Sequence, residues 1–238
     1  MTERTSALGQ PILVFNHRDS LLDEMAGRFI EVMQSLPSGA RIVLAGGSTP
    51  LPVYERIASR RIDWNRFWFL ISDERCVPPD HPDSNFGRIS SVLLNPLGIQ
   101  NDRVVRFLGE KPAERAAEIM HRELIDMGQR VPLFDLVLLG LGGDGHTASL
   151  FPAPAWPDFG AHLAAATRHP DGSDRLTMTP LALRSSARTF FLVSGPEKKD
   201  AVARTLSAAS PSSEYPATMV AGLDTRWFLD ADAALSLQ

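Results

Sequence analysis

The stretch LFDLVLLGLG, residues 133–142, is nearly all apolar. A strand that is buried on both faces has this composition, because a parallel sheet carries helices on both sides. Along the rest of the chain, shorter apolar runs alternate with segments of helical periodicity. This alternation predicts an α/β fold with a doubly wound, mostly parallel sheet and helices on both faces. Since no loop divides the chain into halves with complete patterns of their own, we expect one domain over residues 1–238.

The remaining elements follow from hydrophobic periodicity and turn residues. Helices are predicted at residues 20–36, 50–59, 84–94, 112–127 and 196–208. Further strands are predicted at residues 12–15, 41–45, 66–72, 175–179, 188–195 and 226–230. Ser20 and Asp23 are expected to form a capping box at the start of the first helix. Segments 152–161 and 208–217 are rich in Pro, Ser and Ala and are expected to be loops.

Length and composition limit the class of protein. With 238 residues and 44% hydrophobic content the chain can bury a substantial core, and it has no run of about 18 apolar residues that would span a membrane. The N-terminal MTERTSALGQ lacks the apolar core of a secretory signal, and a single cysteine, Cys76, excludes an internal disulfide. The net charge of −4 gives no general attraction to nucleic acid or anionic membranes. We expect a cytoplasmic protein without nucleic-acid or membrane partners; composition does not define its oligomeric state.

Four polar segments follow predicted strands. AGGSTP follows the strand at 41–45, SDER follows 66–71, GGDGHT follows 134–141, and SGPEKK follows 189–193. In open α/β sheets, ligands bind beyond the carboxyl ends of the strands. The sequence therefore predicts that these four segments meet in one site.

The segment Gly46-Gly47-Ser48-Thr49-Pro50 joins a predicted strand to a predicted helix. Glycines let the backbone approach a phosphate, free N–H groups at a helix start attract an anion, and the two hydroxyls are further donors. The alternative is an ordinary tight turn with Ser or Thr as the N-cap. The pattern is neither G-x-G-x-x-G nor a P-loop, which disfavours a dinucleotide or a nucleoside triphosphate.

The cluster Asp73-Glu74-Arg75 presents two carboxylates and a guanidinium. Such a cluster can orient substrate hydroxyls and bind an oxyanion or a phosphate. The alternative is a solvated set of ion pairs. Cys76, the next residue, is expected to pack rather than to react, because no Cys–His pattern surrounds it.

The segment GGDGHT, residues 142–147, is the strongest local signal. Asp144 lies two residues before His146 and can accept a hydrogen bond from one ring nitrogen, which leaves the other nitrogen as a general base. The alternatives are a surface loop and a metal site. The remaining histidines have no ligand spacing, and the absence of G-x-S-x-G argues against a serine hydrolase.

Three cations add to the predicted site. Arg175 begins a predicted strand, and Lys198 and Lys199 open a predicted helix. They are candidates to neutralise a phosphate in a protein that is acidic overall. Each of them is equally compatible with a solvated surface position.

Six segments occur in an order and approximate spacing shared with a known enzyme family. They are LAGGSTP (44–50), SDERCVP (72–78), DSNFG (83–87), LGLGGDGHTASLFP (139–152), RLTMT (175–179) and SGPEK (194–198). With them, the chain resembles the 6-phosphogluconolactonase family over residues 12–235. It departs from the family pattern at Ala45, Gly143 and Ala153, where Ser, Glu and Gly are common, and none of these positions carries predicted chemistry.

The resemblance implies a Rossmann-like α/β domain that opens 6-phospho-D-glucono-1,5-lactone to 6-phosphogluconate, in the oxidative pentose phosphate pathway, without metal or organic cofactor. It implies catalytic roles for His146 as the base, for Asp144 as its orienting partner, and for Arg75 at the oxyanion or at the phosphate. The implied substrate-binding residues are Gly46, Gly47, Ser48, Thr49, Asp73, Arg175 and Lys198. Lys198 fits the family's G-x-x-K position better than Lys199 does.

Two other functions are compatible with parts of the pattern. The chain also resembles glucosamine-6-phosphate deaminases, which share the Gly-Ser-Thr-Pro and Asp-Gly-His segments. These deaminases differ from it at two positions: they have Glu where this chain has Phe151, and Tyr where it has Arg75. A sugar-phosphate-sensing module of a transcription regulator would carry a helix-turn-helix, and only about eleven residues precede the first predicted strand here. The lactonase is the prediction that the sequence favours.

Overall fold

A computed structural model describes residues 1–128 and 130–237. Its centre is an eight-stranded sheet with the order β1-β2-β11-β10-β7-β3-β4-β6. Only β1 runs antiparallel to its neighbour; the other pairs are parallel. The strands are β1 (Thr2–Thr5), β2 (Pro11–Phe15), β3 (Arg41–Leu44), β4 (Trp68–Ile71), β6 (Val104–Val105), β7 (Leu136–Leu139), β10 (Arg188–Val193) and β11 (Asp224–Asp230). The predicted α/β fold with a mostly parallel central sheet is confirmed.

The helices pack against both faces of this sheet. They are α1 (Arg18–Ser35), α2 (Leu51–Ala58), α3 (Asn85–Ile89, continued by a π turn over Ser90–Leu94), α4 (Ala113–Asp126), α5 (Pro180–Leu183), α6 (Lys199–Leu206) and α7 (Pro216–Met219). Short 3₁₀ turns lie at Trp64–Arg66, Asn101–Arg103 and Pro196–Lys198.

Alternate residues of each inner strand belong to two separate cores. In β7, Val137 and Leu139 pack in one core, while Leu136 and Leu138 pack in the other. Helices α4 and α6 cover the first core, and α1 and α2 cover the second. This arrangement explains why the stretch at 133–142 is apolar without alternation: both faces of its strand are buried.

A second sheet lies outside the central one. It has three antiparallel strands in the order β5-β9-β8, which are β5 (Asp73–Arg75), β9 (Asp174–Met178) and β8 (Ala164–Arg168). The prediction of a single sheet was therefore wrong, and the segment 175–179 does not belong to the parallel sheet. β4 ends at Ile71, and the chain pairs with β9 from Asp73 onward. The cluster Asp73-Glu74-Arg75 is therefore a short strand rather than a turn.

Local details also differ from the predictions. Ser20 forms no capping box: the N-cap of α1 is His17, which makes no side-chain cap, and the Ser20 hydroxyl donates to the carbonyl of His17. The predicted strand at 133–142 is strand only at Leu136–Leu139, because the glycines that follow turn into the site. The strands β1, β6 and β8 and the helices α5 and α7 were not predicted. None of the described helices is both long and apolar enough to cross a bilayer.

Candidate active site

A cleft of about 170 Å³ opens at the carboxyl ends of four adjacent strands, β10, β7, β3 and β4. It is lined by residues 45–50, 140–142, 146–148 and 192–194, together with Asp73, Arg75, Asn85 and Lys198. The structure therefore brings the four predicted segments together. Of the predicted site residues, Asp144 and Arg175 lie outside this lining.

His146 and Asp144 form a hydrogen-bonded pair at the edge of the cleft. The ring Nδ1 of His146 lies 2.6 Å from Asp144 Oδ1, and the backbone N–H of His146 donates to the same oxygen at 3.1 Å. A carboxylate only accepts, so Nδ1 carries the proton and Nε2 of the neutral ring is the free base. Burial alone would raise the pKa of Asp144, but the hydrogen bonds from His146 lower it to about 2. Asp144 is therefore a fixed anion that orients the imidazole.

Glycines shape the loop that carries this pair. A Cβ on Gly142 would lie 2.2 Å from the His146 ring and 2.5 Å from the Asp144 carboxylate, so only glycine allows the pair to form here. Gly145 has φ +101°, which favours glycine. The loop is closed by a hydrogen bond from the Gly142 N–H to the carbonyl of His146 at 2.7 Å. Gly142 and Gly145 thus serve the geometry of the pair.

The ring of Phe151 packs beside the base. Its centroid is 5.2 Å from the centroid of the His146 ring, with an interplanar angle of 50°. This apolar contact supports one side of the imidazole, and no carboxylate stands at this position.

The loop at residues 46–50 carries free donors. Within residues 1–128 and 130–237, no protein oxygen accepts a hydrogen bond from the N–H groups of residues 46–49. Gly47 has φ +98°, and the helix α2 begins directly after Pro50. Such N–H groups at a helix start are an anion-binding arrangement. Ser48 and Thr49 line the same cleft and add two hydroxyls.

Asn85 was not predicted as a site residue, although the sequence contains it in the DSNFG segment. It is 3% exposed, lines the cleft, and donates from Nδ2 to the carbonyl of Asp73 at 2.8 Å. A Cβ on Gly46 would lie 2.0 Å from Asn85 Oδ1, so the amide packs directly on this glycine. Asn85 thereby fixes the glycine loop against the second sheet.

Glu74 is 2% exposed and does not face the cleft lining. Its carboxylate accepts hydrogen bonds from the N–H groups of Arg75, Asn85 and Phe86 and from the hydroxyl of Ser84, at 2.7–2.9 Å. Burial raises the pKa of Glu74, and these hydrogen bonds offset only part of that effect. Glu74 therefore holds the segment that presents Asn85, rather than a substrate.

Asp73 lines the cleft but is only 8% exposed. Its carboxylate oxygens accept from the hydroxyls of Ser72 at 2.7 Å and Ser149 at 2.9 Å. The second of these bonds ties β5 to the loop that carries His146. A ligand hydroxyl in the cleft would donate to a carboxylate that already accepts two hydrogen bonds.

The predicted cations lie at different distances from the cleft. Arg75 and Lys198 line it, whereas Lys199 is exposed as the first residue of α6. Arg175 is the cross-strand partner of Arg75 in the second sheet, and its guanidinium donates to Ser173 Oγ at 2.7 Å. Directly opposed residues of an antiparallel pair lie on the same face of the sheet, so Arg175 lies beside Arg75 but outside the lining of the cleft.

In residues 1–128 and 130–237, no group of three or more His, Cys, Asp and Glu side chains is arranged to hold a metal ion.

Comparison with known proteins places this site in a family. Residues 16–228 match the family described as "Glucosamine-6-phosphate isomerases/6-phosphogluconolactonase". A 6-phosphogluconolactonase of Treponema pallidum is 38% identical over 184 residues, which cover 74% of this chain and 75% of the relative. The crystal structure of 6-phosphogluconolactonase from Thermotoga maritima superposes with a TM-score of 0.78 and 32% identity, over 92% of this chain and 98% of that one.

A monomeric glucosamine-6-phosphate deaminase has the same fold, with a TM-score of 0.81, 20% identity, and coverage of 94% of this chain and 99% of that one. At this identity the likeness concerns the fold alone. The match to the family covers most of the chain, from the end of β2 to β11, and includes every segment that lines the cleft. The chain belongs to the glucosamine-6-phosphate isomerase/6-phosphogluconolactonase family.

Proposed function

We propose that the chain is a 6-phosphogluconolactonase, which hydrolyses 6-phospho-D-glucono-1,5-lactone to 6-phospho-D-gluconate in the oxidative pentose phosphate pathway. The relatives named above carry this activity in their names. The observation that carries the proposal is the Asp144–His146 pair, with Nε2 as the free base, at a cleft that also presents anion-binding N–H groups and Lys198. A base and an anion site in one cleft suit a substrate that is both an ester and a phosphate.

His146 is the proposed general base. Its Nε2 takes a proton from water, and the water oxygen attacks the lactone carbonyl carbon to form a tetrahedral oxyanion. When the bond between this carbon and the ring oxygen breaks, the imidazolium returns the proton to that oxygen, which becomes the C5 hydroxyl. Asp144 keeps Nδ1 protonated throughout and stabilises the imidazolium. The product acid then loses its proton to solvent.

The anionic groups of the substrate need cations and N–H donors. We assign the phosphate to Gly46, Gly47, Ser48, Thr49 and Lys198, which share the cleft. Arg75 serves either the tetrahedral oxyanion or the phosphate, because it lines the cleft and its guanidinium can bind either anion.

Two further assignments belong to the same proposal. Arg175 is assigned to the phosphate from a position outside the cleft lining, where its guanidinium donates to Ser173. Asp73 orients a sugar hydroxyl. The architecture that carries these residues is a single sugar-phosphate hydrolase domain over residues 1–238, in which the central sheet is of the Rossmann-like, doubly wound type.

The deaminase is the alternative within the family. Ring opening, isomerisation and amine loss require more acid and base groups than the hydrolysis of an activated ester. Phe151 gives the environment of His146 an apolar wall instead of an additional carboxylate. The site therefore favours the lactonase.

The purified chain should be given each substrate separately. We expect acid release from 6-phosphogluconolactone well above the spontaneous rate, and no ammonia from glucosamine 6-phosphate. Ammonia release without lactone hydrolysis would replace this proposal with the deaminase. Tight binding of a sugar phosphate with neither reaction would indicate a sensing module.

A further inference from the structure

The last residue of β11, Asp230, is a carboxylate buried beside the cleft. It is 2% exposed. Its oxygens accept hydrogen bonds from the Ser194 hydroxyl, from the N–H of Gly195 at 3.1 and 3.2 Å, and from the N–H of Ala233 at 2.8 Å. Three donors from two segments therefore converge on one side chain.

The described part of the chain shows no counter-ion for Asp230. Among the described residues, none of the ion pairs formed by Lys, Arg or His within 4.0 Å involves Asp230. Burying a carboxylate without a counter-ion is unfavourable, and the hydrogen bonds compensate for the lost hydration. An amide or a hydroxyl at this position would avoid most of that cost. What the side chain supplies at this position is two acceptor oxygens, which receive the donors of Ser194, Gly195 and Ala233.

The segment that Asp230 holds is the turn that leads to Lys198. Ser194 lines the cleft directly after β10. Gly195 has φ +103°, a backbone conformation that favours glycine, and the 3₁₀ turn Pro196–Lys198 follows it directly. The N–H of Lys198 then donates to the carbonyl of Gly195 at 3.1 Å.

The position of the Lys198 side chain depends on this turn. Its side chain is 23% exposed, and its Nζ is 4.0 Å from the nearest oxygen of Glu197, which is too far for a strong hydrogen bond. Nothing else in the described contacts fixes the ammonium group. Its placement at the cleft is therefore set by the backbone on which it stands.

We infer that Asp230 is a positioning residue for the phosphate-binding lysine. Its carboxylate locks the turn at residues 194–195 to the end of β11, and the turn presents Lys198 to the cleft. This inference rests on the proposed function, because it takes the phosphate of the lactone as the ligand of Lys198. It assigns Asp230 no contact with the substrate.

A double-mutant cycle tests the inference. The variants are Asp230→Ala, Lys198→Ala and the two combined, and the readout is kcat/KM for the phosphorylated lactone divided by kcat/KM for unphosphorylated gluconolactone. We expect Asp230→Ala to lower this ratio by about 10-fold and to raise the inhibition constant of inorganic phosphate by a similar factor. In the Lys198→Ala background the same change should alter the ratio less than about twofold, since residues that act through one another are not additive.

Two further variants keep the test decisive. Asp230→Asn keeps the size of the side chain and one acceptor oxygen, so it should fold and should lower the ratio by about 3-fold. If Asp230→Ala does not fold, the result for Asp230→Asn decides the test. Asp135→Asn is the control: Asp135 is also a buried carboxylate, 9% exposed, but it accepts from the N–H of Arg41 and pairs with Arg130 at the opposite end of the sheet. It should leave the ratio unchanged.

The outcomes separate this inference from the proposed function. If wild type does not hydrolyse the phosphorylated lactone, the proposed function is wrong. If wild type is active, the inference is overturned when neither folded Asp230 variant changes the ratio, or when the effect of Asp230→Ala is equally large without Lys198.

Discussion

Replacing Asp144 with Asn breaks the pair that orients the base while keeping the size of the side chain. The pKa of Asp144 lies at about 2, against an ordinary value of 3.8. This difference corresponds to ~2.4 kcal/mol at ~1.4 kcal/mol per pKa unit. Because the side chains of Asp144 and His146 are 45% and 35% exposed, water screens the pair, and we take about half of that value, ~1.2 kcal/mol.

If the pair contributes ~1.2 kcal/mol in the transition state, its loss corresponds to about a 7-fold fall in kcat. We treat this as the minimum, because the amide of Asn can also donate to Nδ1 and leave the proton on Nε2, which blocks the base. The assay is acid release at saturating phosphorylated lactone, with the spontaneous hydrolysis subtracted.

The chain contains a matched control for this variant. His169 Nδ1 lies 2.9 Å from Asp171 Oδ1 in a second Asp–His pair, which lies outside the lining of the cleft and packs on Phe151. Asp171→Asn should therefore leave kcat within about twofold of wild type. The reasoning is refuted if folded Asp144→Asn keeps the wild-type kcat, or if Asp171→Asn loses as much.

Three other predictions follow from the site. Lys198→Ala should lower kcat/KM for the phosphorylated lactone about 10- to 150-fold relative to unphosphorylated gluconolactone, whereas the exposed Lys199→Ala should do much less; equal losses on both lactones would contradict the phosphate role. Treatment with a chelator should leave activity intact, and a loss that Zn²⁺ or Mg²⁺ restores would overturn the metal-free mechanism. Gly46→Ala should lower the free energy of unfolding in urea by ~1–3 kcal/mol, because its Cβ would meet Asn85 Oδ1 at 2.0 Å. Gly27→Ala is the control and should be neutral or stabilising, since a Cβ there meets no atom within 4 Å. Equal stability of both variants would show that the Asn85 side chain can move away without cost.

Much of the architecture is predictable because the central sheet is buried on both faces. The composition of residues 133–142 indicates a strand of this kind, and the polar segments that interrupt the apolar runs mark the carboxyl ends of the strands. Glycine spacing around His146 adds the loop geometry. These are local signals, so a single sequence carries them.

The features that were not predicted depend on contacts between distant residues. β5 is only three residues long and follows β4 almost directly, so its pairing with β9 leaves no periodic pattern. Asn85 acquires its position from Glu74 and Gly46, and Asp230 acquires its position from the turn after β10. Each of these residues is of a type that is common in loops and at strand ends, and only the fold shows which segment it contacts.

The central claim is that His146 is the base of a lactonase, and His146→Ala tests it most directly. The variant should be compared with wild type by acid release from 6-phosphogluconolactone, after its fold is checked by circular dichroism. We predict that kcat falls by roughly 10²–10⁴-fold above the spontaneous blank. A folded His146→Ala protein with the wild-type rate would contradict the account.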